Sequence, residues 1–230
     1  MNVDWVAVGS VATVLAVVVA LTIAIWGDWL GSIASRPTLT LSIAMKPPDC
    51  HRIQTTVQIP VSAPGITNAP YFATQIKSFD TYYLRLSVGN SGSAPARGVE
   101  VRALELSRHD AATNAYKIDP HFSPLNLTWA HVGGTVAQKI DPELSKHCDL
   151  AHIDEPDSKL LKLNTEVVPN EVAAGVWPTI KPSGHYRLRL AITADNSKPV
   201  YRTLSITFAG QWFKTEEDMF TKGIVVRVES

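Results

Sequence analysis

Residues 5 to 26 read WVAVGSVATVLAVVVALTIAIW and carry no charged side chain. A helix of that length packed on a core would keep one polar face, and this run has none. At 1.5 Å per residue it spans about 33 Å, close to the ~30 Å hydrocarbon core of a bilayer. Trp5 and Trp26 close its ends and Trp29 follows, where an apolar ring with a polar N–H suits the interface. The pattern predicts a transmembrane helix. A cleaved signal peptide fits less well. The preceding MNVD has Asp4 and neither Lys nor Arg, and the apolar stretch is longer than such peptides use.

The expected layout is a short tail over 1–4, the helix over 5–26, a juxtamembrane linker over 27–36 and one domain over 37–230. Pro37 disfavours a helical conformation at Arg36 and ends any helix there. No Lys or Arg precedes the helix, whereas Arg36 and Lys46 follow it. The positive-inside rule then places the domain in the cytoplasm, on a single-pass protein of the inner membrane.

Beyond Pro37 the hydrophobic period is two. TLTLSIAM sets Leu39, Leu41, Ile43 and Met45 on one face. RIQTTVQI groups Ile53, Thr55, Val57 and Ile59, YYLRLSV groups Tyr82, Leu84, Leu86 and Val88, and HYRLRLAIT groups Tyr186, Leu188, Leu190 and Ile192. RTLSITF adds Leu204, Ile206 and Phe208, and IVVRV adds Ile224, Val226 and Val228. Alternation of this kind marks half-buried strands. Six such segments, parted by Pro, Gly, Asn and Asp clusters, predict an all-β antiparallel sandwich behind the N-terminal helix. YYLRLSVGNSGSAPARGVEVRAL and HYRLRLAITADNSKPVYRTLSI both read as hairpins, and residues 107–180 between them as long loops with edge strands. TEEDMFTKG reads as a short helical link, capped by Thr215 with Asp218 at the reciprocal position and ended by Gly223.

Lys plus Arg and Asp plus Glu both number 21, so the formal charge is zero and no basic run breaks the balance. That gives no electrostatic footing for nucleic acid. Two cysteines, Cys50 and Cys148, fit one bridge or two free thiols equally. A cytoplasmic domain would keep them reduced.

LSVGNSGSAPARGVEVRAL, through Asn90, Gly92, Ala96, Val99 and Val101, resembles CARDB-like and related immunoglobulin-like modules of bacterial proteins. In that reading Asn90 and Gly92 supply positive φ in the turn. The wider layout is similar to uncharacterised bacterial single-pass membrane proteins with an RP-x-L-x-L first strand and a Leu-x-Trp segment, here Arg36, Pro37, Leu39, Leu41, Leu127 and Trp129. The resemblance implies an anchored immunoglobulin-like sandwich and transfers no catalytic residues.

HCDLAHID, residues 147 to 154, is the one dense cluster of ligand-type side chains. On a regular strand Cys148, Leu150, His152 and Asp154 face one way, and His147, Asp149, Ala151 and Ile153 the other. Cys148 and His152 then stand roughly 13 Å apart, too far to share a tetrahedral zinc. His51, His121 and His131 are the distant histidines that such a site would have to recruit. The stretch is expected to be structural, the tail of a strand pair with the Leu-x-Trp segment. Glu100 and Glu105, five residues apart, would not share a face of a regular strand as a carboxylate pair would, Asn126-Leu127-Thr128 is only a formal sequon, and Trp129 suits a core. Neither a nucleophile elbow nor a phosphate loop occurs.

These readings lead to a non-catalytic protein that meets the lipid bilayer through residues 5–26 and binds or localises a protein partner there, with no catalytic, cofactor or metal residues. Two rivals remain. One is a membrane effector or sensor that forms homo-oligomers through small residues such as Gly9, Ser10, Ala12 and Thr13. The other is a metal-dependent hydrolase built on HCDLAHID.

Overall fold

The computed structural model describes residues 13, 15–23, 36–62, 72–130, 133–166, 179–180 and 183–229. Most of the predicted membrane span and linker falls outside these residues. Within the span, residues 13 and 15–23 are helical, and Thr22 Oγ1 donates to the Val18 carbonyl at 2.7 Å. Among the described residues no helix is long and apolar enough to cross a membrane.

In chain order the strands are β1 (Leu39–Ser42), β2 (Cys50–Ser62), β3 (Phe72–Asn90), β4 (Ala96–Asp110), β5 (Ala115–Ile118), β6 (Leu125–Asn126), β7 (Thr128–Trp129), β8 (Val136–Ile140), β9 (Ser145–Asp154), β10 (Leu161–Leu163), β11 (Thr179–Ile180), β12 (Gly184–Ala194), β13 (Ser197–Phe208) and β14 (Ile224–Val228). They form two antiparallel sheets. The first runs β1-β3-β9-β10-β11, with β2 also on β3 and β7 on β9. The second runs β14-β13-β12-β4-β5, with β6 and β8 also on β4.

The alternation explains the layering. Tyr82, Leu84, Leu86 and Val88 of the first sheet are buried, as are Tyr186, Leu188, Leu190, Ile192, Leu204, Ile206 and Phe208 of the second. All belong to one hydrophobic cluster, so the two sheets share a core as in a β-sandwich. The Tyr82 hydroxyl is satisfied by the Phe213 carbonyl at 3.0 Å. Thr215 caps a helical turn, Glu216–Asp218, through the Asp218 N–H. A wider turn, Met219–Gly223, then delivers the chain to β14. The reciprocal bond differs from a capping box, because Thr215 Oγ1 donates to Asp218 Oδ2 at 2.9 Å.

Several sequence expectations are corrected. HYRLRLAITADNSKPVYRTLSI is a hairpin, with Ala194 opposite Ser197. YYLRLSVGNSGSAPARGVEVRAL is not one: β3 and β4 lie in different sheets. The crossing is organised by Asn90, whose Oδ1 accepts from the N–H groups of Thr38 and Gly92 and whose Nδ2 donates to the carbonyls of Ala94 and Ile140. Gly92 is not among the residues with positive φ. Its requirement is space, since a Cβ there would stand 2.2 Å from the Arg36 carbonyl oxygen and 2.5 Å from the Thr38 nitrogen. β9, inside the region expected to hold loops and edge strands, is instead a central strand between β3 and β10.

The RIQTTVQI segment forms a strand, but over residues 52–58 it buries no apolar face. Ile53 is 39% exposed, and Ile76 across the ladder is 66% exposed. The reason is topological. β9 ends at Asp154, opposite Thr81, and the chain turns away through Glu155–Asp157. Beyond that point, among the described residues, β3 pairs only with β2, down to Ser62 opposite Phe72. The two strands continue as a ribbon past the sandwich.

Candidate functional site

The HCDLAHID residues sit on β9, and one irregularity decides where they point. Leu84 pairs with Ala151 but Arg85 pairs with Asp149, so Leu150 is an extra residue in the ladder. A bulge of this kind reverses the parity of the strand. Cys148 and Leu150 are buried before it, and Ala151 and Ile153 after it. The expected division between faces is therefore wrong: His147, Asp149, His152 and Asp154 all lie on the outer face, and Cys148 alone goes to the core. The strand pair with the Leu-x-Trp segment is present, with Trp129 opposite Cys148.

Cross-strand register assembles the rest of the face. His51, Tyr83, His152 and Lys162 form one row across β2, β3, β9 and β10. Tyr83 is stacked between the two imidazoles, at 6.4 Å from His51 and 5.5 Å from His152. Arg85 Nε donates to Asp149 Oδ1 at 2.8 Å, and its guanidinium lies 5.9 Å from the Tyr83 ring centre. His147 Nε2 donates to Asp49 Oδ1 at 3.0 Å, while the other oxygen of Asp49 accepts from Ala44 N–H at 2.7 Å. His152 Nδ1 pairs with Asn164 Oδ1, and its Nε2 lies 3.7 Å from Asp154 Oδ2. Asp154 also accepts from Thr81 Oγ1 and Lys162 Nζ, both at 2.8 Å, and Lys162 reaches Asp157 at 2.9 Å.

The electrostatics follow from this packing. Burial works against the Lys162 ammonium, but the Asp154 and Asp157 hydrogen bonds outweigh it and raise its pKa. Burial raises the Tyr83 hydroxyl, helped by the negative charges of Asp154 and Asp149. Burial lowers His51, and the Arg85 charge lowers it further. A backbone hydrogen bond at Pro48 and the negative charges of Glu216 and Asp149 offset only part of this. Stability linked to His51 is thus fully present above its ordinary value of 6.5 and declines as pH falls through the lower folded value. Acid titration of the unfolding midpoint is expected to show this decline below about pH 6.5. It should shrink in His51→Gln, and an unchanged slope in that variant would count against His51 as its source.

Both cysteines are free and buried. They pair with β3 from opposite sides, Cys50 at Leu84 and Cys148 at Leu86. Two strand spacings, about 10 Å, exceed the ~7 Å limit for a bridge between Cα atoms. Burial pushes the Cys50 thiol up to about 12 and raises Cys148 as well, which suppresses the thiolate that nucleophilic or metal chemistry needs.

Of the other expected residues, His51 is brought to the face, while His121 is exposed on a turn, its N–H donating to Asp119. His131 lies outside the described residues. Trp129 is buried with Nε1 donating to Thr135, and Asn126 Oδ1 accepts from Arg102. Asp49, Tyr83, Arg85, Lys162 and Asn164 were not anticipated. Tyr83 and Arg85 were accessible to parity, since they alternate with the inward Tyr82, Leu84 and Leu86. The others depend on register between strands far apart in sequence.

Among the described residues no group of three or more His, Cys, Asp or Glu side chains is arranged to hold a metal ion. The outer acids and imidazoles are drawn into pairs with each other. Elemental analysis of the chain, purified without a histidine tag, is expected to find no stoichiometric transition metal, with or without His147→Gln and His152→Gln. One zinc or iron per chain, lost on His152→Gln, would move this face into the metal-site class. No protein-family model matches the chain, and no curated protein is significantly similar to it.

Proposed function

We propose that the chain is a membrane-anchored, non-catalytic protein whose immunoglobulin-like sandwich holds a protein partner at the membrane, with the sandwich in the cytoplasm. The observation that carries the anchoring is the uncharged run over residues 5–26. Where described it is helical and bare, with Leu15 60% and Ile23 64% exposed. Such a surface calls for a non-aqueous neighbour. The non-catalytic reading is supported by the polar face of the first sheet. Its histidines and carboxylates stabilise the strand arrangement through mutual hydrogen bonds, and the thiols are buried and protonated. A sandwich with free outer faces and end loops offers surfaces for a partner.

Two measurements test this. The full chain is expected to remain with membranes after alkaline carbonate washing, and a reporter fused after Ser230 should behave as cytoplasmic. Release by carbonate would remove the anchor. Activity of an export-dependent reporter would reverse the orientation.

A further inference from the structure

We propose that the outer face of β12, β13 and β14 is the surface on which the protein partner docks, and that the docking segment is acidic. This rests on the partner-holding function proposed above and adds the surface and the chemistry. Register builds the face. Arg187, Ser205 and Arg227 form one row across the three strands, and Arg189 lies beside Thr203 in the next. Arg187 and Arg227 are therefore two strand spacings apart, about 10 Å, while Arg187 and Arg189 are about 7 Å apart along β12.

The charges here are not balanced as they are on the opposite sheet. There, Arg85 and Lys162 each meet a carboxylate. Here Arg187 Nε meets Glu229 at 2.8 Å, and no ion pair is formed by Arg189 or Arg227 among the described residues. Glu105, opposite Arg189 in register, is the other carboxylate of the face. Three arginines, Arg187, Arg189 and Arg227, thus stand against two glutamates. Two of the guanidinium groups lie against aromatic rings, Arg187 4.2 Å from the Tyr116 centre and Arg189 5.4 Å from that of Tyr201. A ring holds the planar fork in place and leaves its N–H edges for an anion. A hollow of about 500 Å³ is lined by Arg189, Tyr201, Arg202, Thr203, Val228 and Glu229.

The spacing selects the ligand. Donors about 7 and 10 Å apart on an open sheet exceed the span of one small anion but match carboxylates on alternate residues of an extended segment, about 7 Å apart. A lipid surface fits less well. The chain enters the sandwich at Arg36, whose carbonyl accepts from Ser93 N–H between β3 and β4. That is an end of the sandwich, and the arginine face runs along its side.

The test uses the full chain in nanodiscs of neutral lipid, with a fluorescent oligoglutamate of about ten residues as probe at low ionic strength. Binding that weakens with added salt is expected. Arg189→Gln with Arg227→Gln should weaken it at least about tenfold, an effect of more than one solvent-exposed charge. Lys146→Gln with Lys159→Gln removes the same charge from other surfaces and should leave it unchanged. Thermal melts keep the comparison to folded protein, and both arginines are exposed. No binding by the wild-type chain, or equal loss in both double variants, overturns the proposal. So does stronger capture of phosphatidylserine vesicles than of the peptide. Carbonate washing of the same preparations separates the two readings: a chain that stays in the membrane yet binds no peptide loses the docking surface alone.

Discussion

Asn90→Ala is expected to lower the stability of the sandwich by about 4 kcal/mol, taking about 1 kcal/mol for each hydrogen bond lost. Asn90 is only 2% exposed. Its amide makes four bonds, two accepted from Thr38 and Gly92 at 3.0 Å and two donated to Ala94 at 2.7 Å and Ile140 at 3.1 Å. They join β1, the crossing between sheets and β8. Alanine would strand two N–H and two C=O groups at a junction that water reaches poorly. Asn90→Asp should not rescue it, because a second oxygen would face two carbonyls. Denaturant unfolding of the chain in mild detergent checks this, with the exposed Ser91→Ala as reference. A midpoint shift in Asn90→Ala no larger than the reference would show that the junction is held by backbone bonds alone.

Leu190→Ala is expected to cost about 2–5 kcal/mol, the range for emptying a leucine site in a packed core. Leu190 has no exposed surface and belongs to the shared cluster. Arg189→Ala, one residue away on the outer face, should cost under about 0.5 kcal/mol. The pair reads the orientation of β12 directly. Similar losses from both would contradict the inward face of that strand.

The core was legible wherever parity ran unbroken. HYRLRLAIT and RTLSITF announce their inward residues because each strand keeps one face on the core and one in water. HCDLAHID was misread because one extra residue, Leu150, restores the polar side chains to a common face, and nothing in eight letters marks the bulge. The crossing after β3 was read as a hairpin for a similar reason. Five residues suit either connection, and only the four bonds of Asn90 distinguish them. RIQTTVQI shows the remaining limit. Alternation records that a strand has two unlike faces and says nothing of whether a second layer covers either. The candidate face was half visible: its β9 residues stood in one motif, while Asp49, Lys162 and Asn164 reach it through pairing that no local pattern encodes.

The ribbon beyond Asp154 has two rims of different character. Arg52 N–H points away from β3, to Glu216 Oε1 at 2.6 Å. In an antiparallel ladder alternate residues turn the same way, so Gln54, Thr56 and Gln58 also present their backbone outward, and Pro60 presents no donor. That rim is plugged at one end by a carboxylate and interrupted at the other by proline, devices that discourage an incoming strand. On the far rim the outward residues are Asp80, Ser78, Ile76, Thr74 and Phe72, opposite the even-numbered positions of β2, and no proline interrupts them. They continue the line that β9 leaves at Asp154. Among the described residues, growth of the first sheet by one more strand is thereby permitted on one side and obstructed on the other, which gives the ribbon a polarity that its nearly uncharged side chains do not reveal.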